Sequence, residues 1–413
     1  MEHNITSRRL VGAVTGGLCL LAMPLAARAD FRIVDGANEF AINFWIDAQA
    51  EYVKGSGATA PAVAPSARAR LNQNSSELRF TGTRSFGDGL QAFATVGSEM
   101  RTLNTTDGTT APTTVSNTFG FRNTGVGVRG GFGELAIGRW DVHYQYYPAV
   151  AGVDSAYLTG PIAWASGSVV AFMSYSTDLI GNRYANTMRY QTPTLGGFTG
   201  YAAFTRNDGG TSSAVVGMPN QQDRGSNLAA TYRNGGLSAF ASYYQRSGFV
   251  LPLPYDTVNS AVEQKSLRTG LKYTLPMGLS IGFGVDQSSN QHNAPTKGGV
   301  REAKRTAWAV PIGYRAGAHD LSATYASAAN AKGDLLPASS LGTNAETGAK
   351  FMHLGYKYWL DKDTNFHVGW AQVKNQKNAN YDLYLGGALG LRGNRALAGT
   401  DPQSVQVGLF TRF

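Results

Sequence analysis

Cysteine, charge and long apolar runs are all scarce in this chain of 413 residues. Its one cysteine, Cys19, lies close to the N-terminus, so the rest of the chain can form no disulfide bond and has no thiol for catalysis or metal binding. Charged residues make up 15%, against about 25% in ordinary globular proteins. Beyond Ala29 no apolar stretch approaches the roughly 18 residues that a membrane-spanning helix needs, which excludes transmembrane helices.

The N-terminal segment 1–29 has the three parts of a secretory signal peptide. Arg8 and Arg9 give it a positive start, residues 11–25 form a short apolar run, and residues 27–29 (Ala-Arg-Ala) match a small-x-small cleavage site. The sequence therefore predicts that the chain is exported and that this segment is removed.

The mature chain is expected to be one domain, residues 30–413, beginning at Asp30. It would keep 33 of the 36 Lys+Arg and 26 of the 27 Asp+Glu residues, which gives a net charge of +7. These charges are spread singly with no basic run, so a nucleic-acid partner is not expected.

The dominant pattern along the chain is an alternation with period two. In residues 40–52 every even position is apolar and most odd positions are polar or charged, and residues 76–86 repeat the pattern. Such alternation predicts strands with one apolar and one polar face. A helix would place its apolar residues three and four apart.

Sixteen segments carry this alternation, and short turns alternate with long polar loops between them. The predicted strands lie near 39–53, 76–86, 89–101, 119–131, 133–140, 186–193, 196–206, 226–234, 236–246, 265–274, 278–288, 304–315, 317–328, 349–360, 363–374 and 403–413. The predicted long loops are 54–75, 102–118, 141–185, 207–225, 248–264, 289–303, 329–348 and 375–402. This arrangement predicts an all-β protein, a 16-stranded antiparallel transmembrane β-barrel with short periplasmic turns and long extracellular loops.

The strand length fits a bilayer, because about eleven residues at ~3.3 Å each, tilted near 45°, cover the roughly 25 Å apolar band of such barrels. A soluble β-sandwich would alternate as well and is the competing fold. In lipid no sheet edge can stay open, so the first and last strands must pair. In the last strand every second residue from Val405 to Phe413 is expected to face lipid.

Three motifs resemble the general diffusion porins of Gram-negative bacteria, in particular the β-proteobacterial type. Residues 122–128 (Arg-Asn-Thr-Gly-Val-Gly-Val) followed by 131–139 (Gly-Phe-Gly-Glu-Leu-Ala-Ile-Gly-Arg) resemble that family's "R-x-x-x-V-G-L … F-G-x-L-x-x-G-R". Residues 186–193 resemble "N-S-V-R-Y-x-S-P", and residues 407–413 resemble the family ending. The order and spacing of the motifs run over the whole mature chain.

The resemblance implies a passive outer-membrane channel for ions and small hydrophilic solutes, assembled as a homotrimer among membrane lipid and lipopolysaccharide. It also implies that the third loop, 141–185, folds into the channel. Basic residues of the wall would then face acidic residues of that loop across a constriction. Neither a cofactor nor a metal is expected.

The family's wall arginines carry over in part. Arg122 and Arg139 match family arginines, and Arg183 lies near a third. Where the family reads "S-R-L-G-F-R-G", residues 76–82 read Ser-Glu-Leu-Arg-Phe-Thr-Gly, which places an acid at the family's first arginine and a new arginine two positions later. In the first strand Phe44 replaces a family glycine.

The candidate constriction has a basic side and an acidic side. The candidate wall residues are Glu77, Arg79, Glu99, Arg101, Arg122, Arg139 and Arg183. The candidate third-loop acids are Asp141, Asp154 and Asp178. The net charge of +7 and the few loop acids favour weak anion preference, although any single arginine could instead be a solvated residue at a strand end.

Two other functions compete with a general porin. A substrate-selective porin for sugars, dicarboxylates or phosphorylated solutes could use the aromatic residues of the third loop as a binding track, unless these rings only pack the loop against the wall. These residues are Tyr144, Tyr146, Tyr147, Tyr157, Trp164 and Tyr175. The chain could also be an adhesin, a blocked barrel or a barrel enzyme, but no nucleophile elbow, metal-spaced histidine pair or acid dyad appears, so an enzyme is not expected.

Overall fold

The computed structural model describes residues 31–57, 67–73, 76–100, 119–143, 183–207, 223–250, 261–294, 299–334, 344–383 and 398–413. These residues form the strands β1 (Phe31–Asp35), β2 (Asn38–Ser56), β3 (Arg68–Gln73), β4 (Glu77–Gly87), β5 (Leu90–Glu99), β6 (Thr124–Gly130), β7 (Gly133–Asp141), β8 (Arg183–Gln191), β9 (Phe198–Asn207), β10 (Asp223–Asn234), β11 (Leu237–Val250), β12 (Ala261–Thr274), β13 (Leu279–Ala294), β14 (Gly299–Ala316), β15 (His319–Ala328), β16 (Lys332–Gly333), β17 (Ala349–Trp359), β18 (Thr364–Asn375) and β19 (Asp401–Arg412). In these ranges no helix is long and apolar enough to cross a membrane.

Sixteen of these strands close into one antiparallel barrel, as predicted. Each pairs with the next from β2 and β4 round to β18 and β19, and β19 pairs back onto β2. The short strands β1, β3 and β16 are additions to the ring: β1 and β3 pair with β2, and β16 pairs with β14.

The strands β1 and β19 lie end to end beside β2. The backbone of Phe413 exchanges hydrogen bonds of 3.3 and 2.7 Å with Phe44, and the two rings stack with centroids 5.6 Å apart. Beyond this point Phe31 of β1 pairs with Ile42, so β1 continues along β2 where β19 ends. The expected pairing of the first and last strands is confirmed, and it closes the sheet.

Burial is inverted relative to a soluble protein. Along β19, Val405 and Val407 are 48% and 58% exposed, whereas the alternate residues Ser404 and Gln406 are each 1% exposed. Large apolar side chains therefore lie outside and polar ones inside. A soluble sandwich would bury the apolar face, so this pattern excludes that alternative and matches a barrel in lipid.

The strand boundaries differ from the predicted ones mainly at extracellular ends. The strand expected from residue 119 begins at Thr124, because residues 119–123 form turns with Gly120 at φ 84°. The strands β13 and β14 extend further than the alternation indicated, to Ala294 and from Gly299. Their added residues are mainly polar and carry the hairpin beyond the apolar band.

Candidate functional site: the channel wall

Alternation along β2 and β4 places one acid and one arginine together on the inner wall. Glu77 and Arg79 occupy the face opposite Phe80, whose ring stacks outside on Phe40. The Nε of Arg79 donates to the Glu77 carboxylate over 2.8 Å, and the guanidinium lies 5.3 Å from the ring centroid of Trp45. The two residues in which the family motif was altered thus form an ion pair, with Glu77 buried and Arg79 reaching into the lumen.

A second pair lies beside the first. Glu99 is directly opposite Glu77 in the register of β4 and β5, and its carboxylate forms an ion pair of 3.4 Å with Arg122. Gly97 lets these groups meet, since a Cβ there would lie 2.8 Å from the Glu77 carboxylate and 2.9 Å from the Arg122 Cβ. The structure therefore brings Glu77, Arg79, Glu99 and Arg122 into one cluster, the inner-wall cluster.

Asp141 and Arg183 form a separate pair at the root of the third loop. They face each other on β7 and β8, the Arg183 guanidinium lies 2.9 Å from the Asp141 carboxylate, and its Nε donates to the Asn123 side chain over 3.2 Å. The preceding pair in the register, Trp140 and Tyr184, points into the barrel. Asp141 and Arg183 therefore take the opposite direction and border the loop root.

Arg139 does not join the lumen residues as expected. On β7 it has the same parity as Leu135 and Ile137, which are 37% and 55% exposed on the outer face, whereas Ala136 and Trp140 are buried inside. Its Nε donates to the carbonyl of Phe121 over 2.8 Å, and its guanidinium stacks 4.4 Å from the ring centroid of Phe121. The regular alternation of β7 is therefore the physical reason for this correction, and the extra residue in the register lies on β8, between Thr187 and Tyr184.

Three candidates from the predicted constriction fall outside the part of the chain that the structure describes. Arg101, Asp154 and Asp178 lie outside the described residues. The same holds for the six aromatic residues of the third loop on which a solute-binding track would depend.

Two inner-wall arginines were missed by the sequence reasoning. Arg189 makes an ion pair of 2.8 Å with Glu134 and lies 4.1 Å from the ring centroid of Trp140. Arg129 donates from Nε to the neutral Gln91 over 2.8 Å. Both could have been found by alternation, because Val128 precedes Arg129, and Met188 and Tyr190 flank Arg189, all three exposed on the outer face.

Further cations line the inner face near the short periplasmic turns, in two rows of directly opposed residues. One row contains Arg233, Ser238 and Lys272 on β10, β11 and β12. A second contains Arg315, Asp320 and Lys357 on β14, β15 and β17. The two rows hold four cations and one carboxylate, with the carboxylate of Asp47 close to Lys357, so these two stretches of the wall are basic.

The start of the third loop turns into the barrel, as predicted. Val142 and His143 are 2% and 1% exposed, and the two ring nitrogens of His143 each lie 2.8 Å from a wall hydroxyl, Nδ1 from Ser242 on β11 and Nε2 from Ser266 on β12. The loop therefore crosses from β7 to strands four and five places further round the barrel.

The neighbouring hydrogen bonds determine the state of His143. The hydroxyl of Ser266 donates to Asp286 over 2.7 Å, so it accepts from Nε2–H. Ser242 accepts from the amide of Asn227 over 2.9 Å and can therefore donate to Nδ1. This neutral tautomer satisfies every partner, and burial, reinforced by Arg268, lowers the pKa of His143 to about 3.

Comparisons with known proteins agree with this geometry. A family model described as Gram-negative porin matches residues 19–378, whereas no curated protein sequence matches the chain. The anion-selective porin from Comamonas acidovorans superposes with a TM-score of 0.67 at 20% identity, over 91% of this chain and 100% of that one. The trimer form of in-vitro folded OmpT from Vibrio cholerae gives 0.61 at 13% identity, over 91% and 99%. Salmonella typhi OmpF in complex with daunomycin gives 0.59 at 14% identity, over 93% and 100%.

Proposed function

We propose that this chain, which belongs to the Gram-negative porin family and is a multi-pass β-barrel channel of the outer membrane, passes anions in preference to cations. The observation that carries this proposal is the charge of the inner wall. Three arginines there are matched by one carboxylate each, while Arg129 is held by a neutral amide. The two basic rows near the periplasmic turns add four cations, with Asp320 in the second row and Asp47 close to Lys357. Rings of fixed charge on a pore wall select the ion of opposite sign.

Ion selectivity of wall variants tests the proposal. The reversal potential across a planar bilayer under a KCl gradient is measured for Arg122→Gln and Arg129→Gln, and each is expected to shift toward the potassium equilibrium potential. Arg139→Gln is the matched control, because it removes the same charge from the outer face and should leave the potential unchanged. Equal shifts in all three variants, or none, would contradict a selective basic wall.

The assembly is proposed to be a homotrimer. An apolar groove of 670 Å³ lies on the outer face of β4 to β7, where small side chains permit close approach of a second barrel. Its outward residues are Gly82, Ala92, Ala94, Val126, Val128, Leu135 and Ile137. Ala94→Trp should abolish the trimer band on a semi-native gel, whereas Ala323→Trp, in a similar groove at β15, should keep it. Retention of trimers by both variants would place the interface elsewhere.

Lipopolysaccharide is proposed to contact the lysines at the extracellular ends of the outer face. On β14 the outward residues run from Ile312 through Trp308 to Lys304, and on β12 from Leu271 through Leu267 to Lys265. Each lysine forms an ion pair with a glutamate two residues before it, Lys304 with Glu302 at 2.7 Å and Lys265 with Glu263 at 3.2 Å, so a headgroup would share the lysine with that acid. Cations directly beyond an apolar band suit anionic headgroups. Lys304→Gln should weaken retention of phosphorylated lipid A in native mass spectra. Unchanged retention would argue against this contact.

Signal-peptide removal is likewise proposed. Residues 1–30 lie outside the described part, and the first described strand begins at Phe31. N-terminal sequencing of the protein from outer membranes should give Asp30 as the first residue, and a start at Met1 would contradict the cleavage.

A further inference from the structure

A second segment besides the third loop folds into the barrel. Residues 376–383, here called the L8 arm, follow β18 at its extracellular end. Within the arm Ala379, Tyr381, Asp382 and Leu383 are at most 3% exposed. A polar extracellular loop would leave these side chains in water, so their burial requires an inner surface that receives them.

That surface is an apolar patch inside the barrel. Phe351 and Val373 point inward, since the outward residues Leu354 and Val368 on the same strands are 56% and 44% exposed. The patch and the arm form a single buried cluster. Its members are Val53, Ala307, Ala326, Ala328, Ala349, Phe351, Ala371, Val373, Ala379, Tyr381 and Leu383. Apolar residues on the lumen face of a water-filled barrel would be costly to hydrate, and the L8 arm covers them.

Polar contacts hold Tyr381 of the arm from two sides. At its base the Asn375 amide donates to the carbonyls of Tyr381 and Thr400 over 2.7 and 2.5 Å, and its oxygen accepts from the Tyr381 backbone over 3.0 Å. At its far side the Tyr381 hydroxyl accepts from Arg305 over 3.2 Å. Arg305 is on β14, three strands from β18, which corresponds to about 14 Å at the usual strand spacing. The side chains of Tyr381 and Arg305 together therefore bridge the inner face from β18 to β14.

The same arginine connects the arm to the third loop. Arg305 forms an ion pair of 3.3 Å with Asp286, which accepts from Ser266, the partner of His143. Both inward segments thus end on one buried chain of hydrogen bonds along β12 to β14. The inner-wall cluster lies across the lumen on β4 and β5.

From this arrangement we propose that the L8 arm is a second constriction element, which narrows the channel from the β14–β18 side and sets its size limit together with the third loop. The solute path then runs along the arginine-bearing wall of β4 to β8. The inference concerns the width of the channel, so it holds whichever ion the channel prefers.

Thiol labelling tests the position of the arm, since the mature chain offers no cysteine of its own. Ala379→Cys is compared with the matched control Gln376→Cys, which is exposed on the same arm, using a membrane-impermeant maleimide on the folded protein. A thiol packed in the cluster reacts only when the arm opens, so we expect labelling at least about tenfold slower at position 379. Equal labelling rates would overturn the proposal.

The size limit for permeating solutes tests the proposed narrowing of the channel, with variants in which no cysteine has to be introduced. Tyr381→Ala should admit larger uncharged oligosaccharides in liposome-swelling assays than the wild type. Tyr358→Ala removes the same side chain from the outer face, where it is 40% exposed, and should not change the limit. A size limit unchanged in folded Tyr381→Ala would refute a second constriction. Because the solutes are uncharged, this result is separate from the test of anion preference.

Discussion

Protonation of His143 should weaken the folded protein in acid. In the folded state its pKa is lowered to about 3 by burial and by Arg268, whereas an exposed histidine has a pKa near 6.5. Between these pH values the unfolded chain binds a proton that the folded protein does not. The stability present above pH 6.5 is therefore lost as the pH falls toward 3, at about 1.4 kcal/mol per pH unit. At pH 4.5 the loss is about 3 kcal/mol.

The surroundings of His143 explain why protonation of its ring is unfavourable in the folded protein. Arg268 and Asp286 are the charged groups near the ring, and Asp286 reaches it only through the Ser266 hydroxyl. An imidazolium would donate from both ring nitrogens, so the Ser242 hydroxyl would accept from Nδ1 as well as from Asn227 and would lose Nδ1 as the acceptor of its own proton. Protonation thus replaces an accepting nitrogen with a second donor and adds charge beside Arg268.

His143→Gln is the perturbation that isolates this effect, because an amide supplies one donor and one acceptor without titrating. Urea unfolding in lipid vesicles is followed by tryptophan fluorescence at pH 7.5 and 4.5. The wild type should lose about 3 kcal/mol more than the variant between the two pH values. His319→Gln, an exposed histidine, controls for the loss of a histidine as such. The same pH dependence in wild type and His143→Gln would refute the reasoning.

Three further outcomes follow from buried or closely packed residues. Arg305→Met removes the 3.3 Å ion pair of the buried Asp286 carboxylate, while Arg268 stays directly opposite it; the free energy of unfolding, measured by urea titration, should fall by about 3 kcal/mol, and adding Asp286→Asn should recover most of it. Gly133 has φ 106°, and a Cβ added there would overlap the carbonyl of Gln191. Gly133→Ala should therefore lower the urea midpoint of unfolding, and an unchanged midpoint would contradict this close approach of the two strands. Phe413→Ala removes the ring stacked on the first barrel strand and should reduce the heat-modifiable folded fraction after refolding; wild-type yield would contradict its role in closure.

The barrel could be predicted because its physics is local. Period-two alternation, as in residues 40–52, follows directly from one lipid face and one wet face. The inner-wall cluster followed from the same rule, since Glu77 and Arg79 share parity. Arg129 and Arg189 obey it too and could have been assigned in the same way.

The rest depends on irregular backbone and on contacts far apart in sequence. Parity alone gives no warning of the extra residue on β8 between Thr187 and Tyr184, after which Arg183 no longer shares the inward face of Arg189. The L8 arm has no periodicity and reads as a polar loop. Its burial depends on Arg305, which precedes Tyr381 by 76 positions, and on apolar inner residues such as Phe351 that resemble any other strand residue.

The reversal potential of the wild-type protein tests the central claim most directly. Purified protein is inserted into a planar bilayer under a tenfold KCl gradient, and the zero-current potential is read. A steady open current whose potential lies on the chloride side of zero is the predicted result for a passive channel with a basic wall. A potential on the potassium side, or the absence of any current, would contradict it.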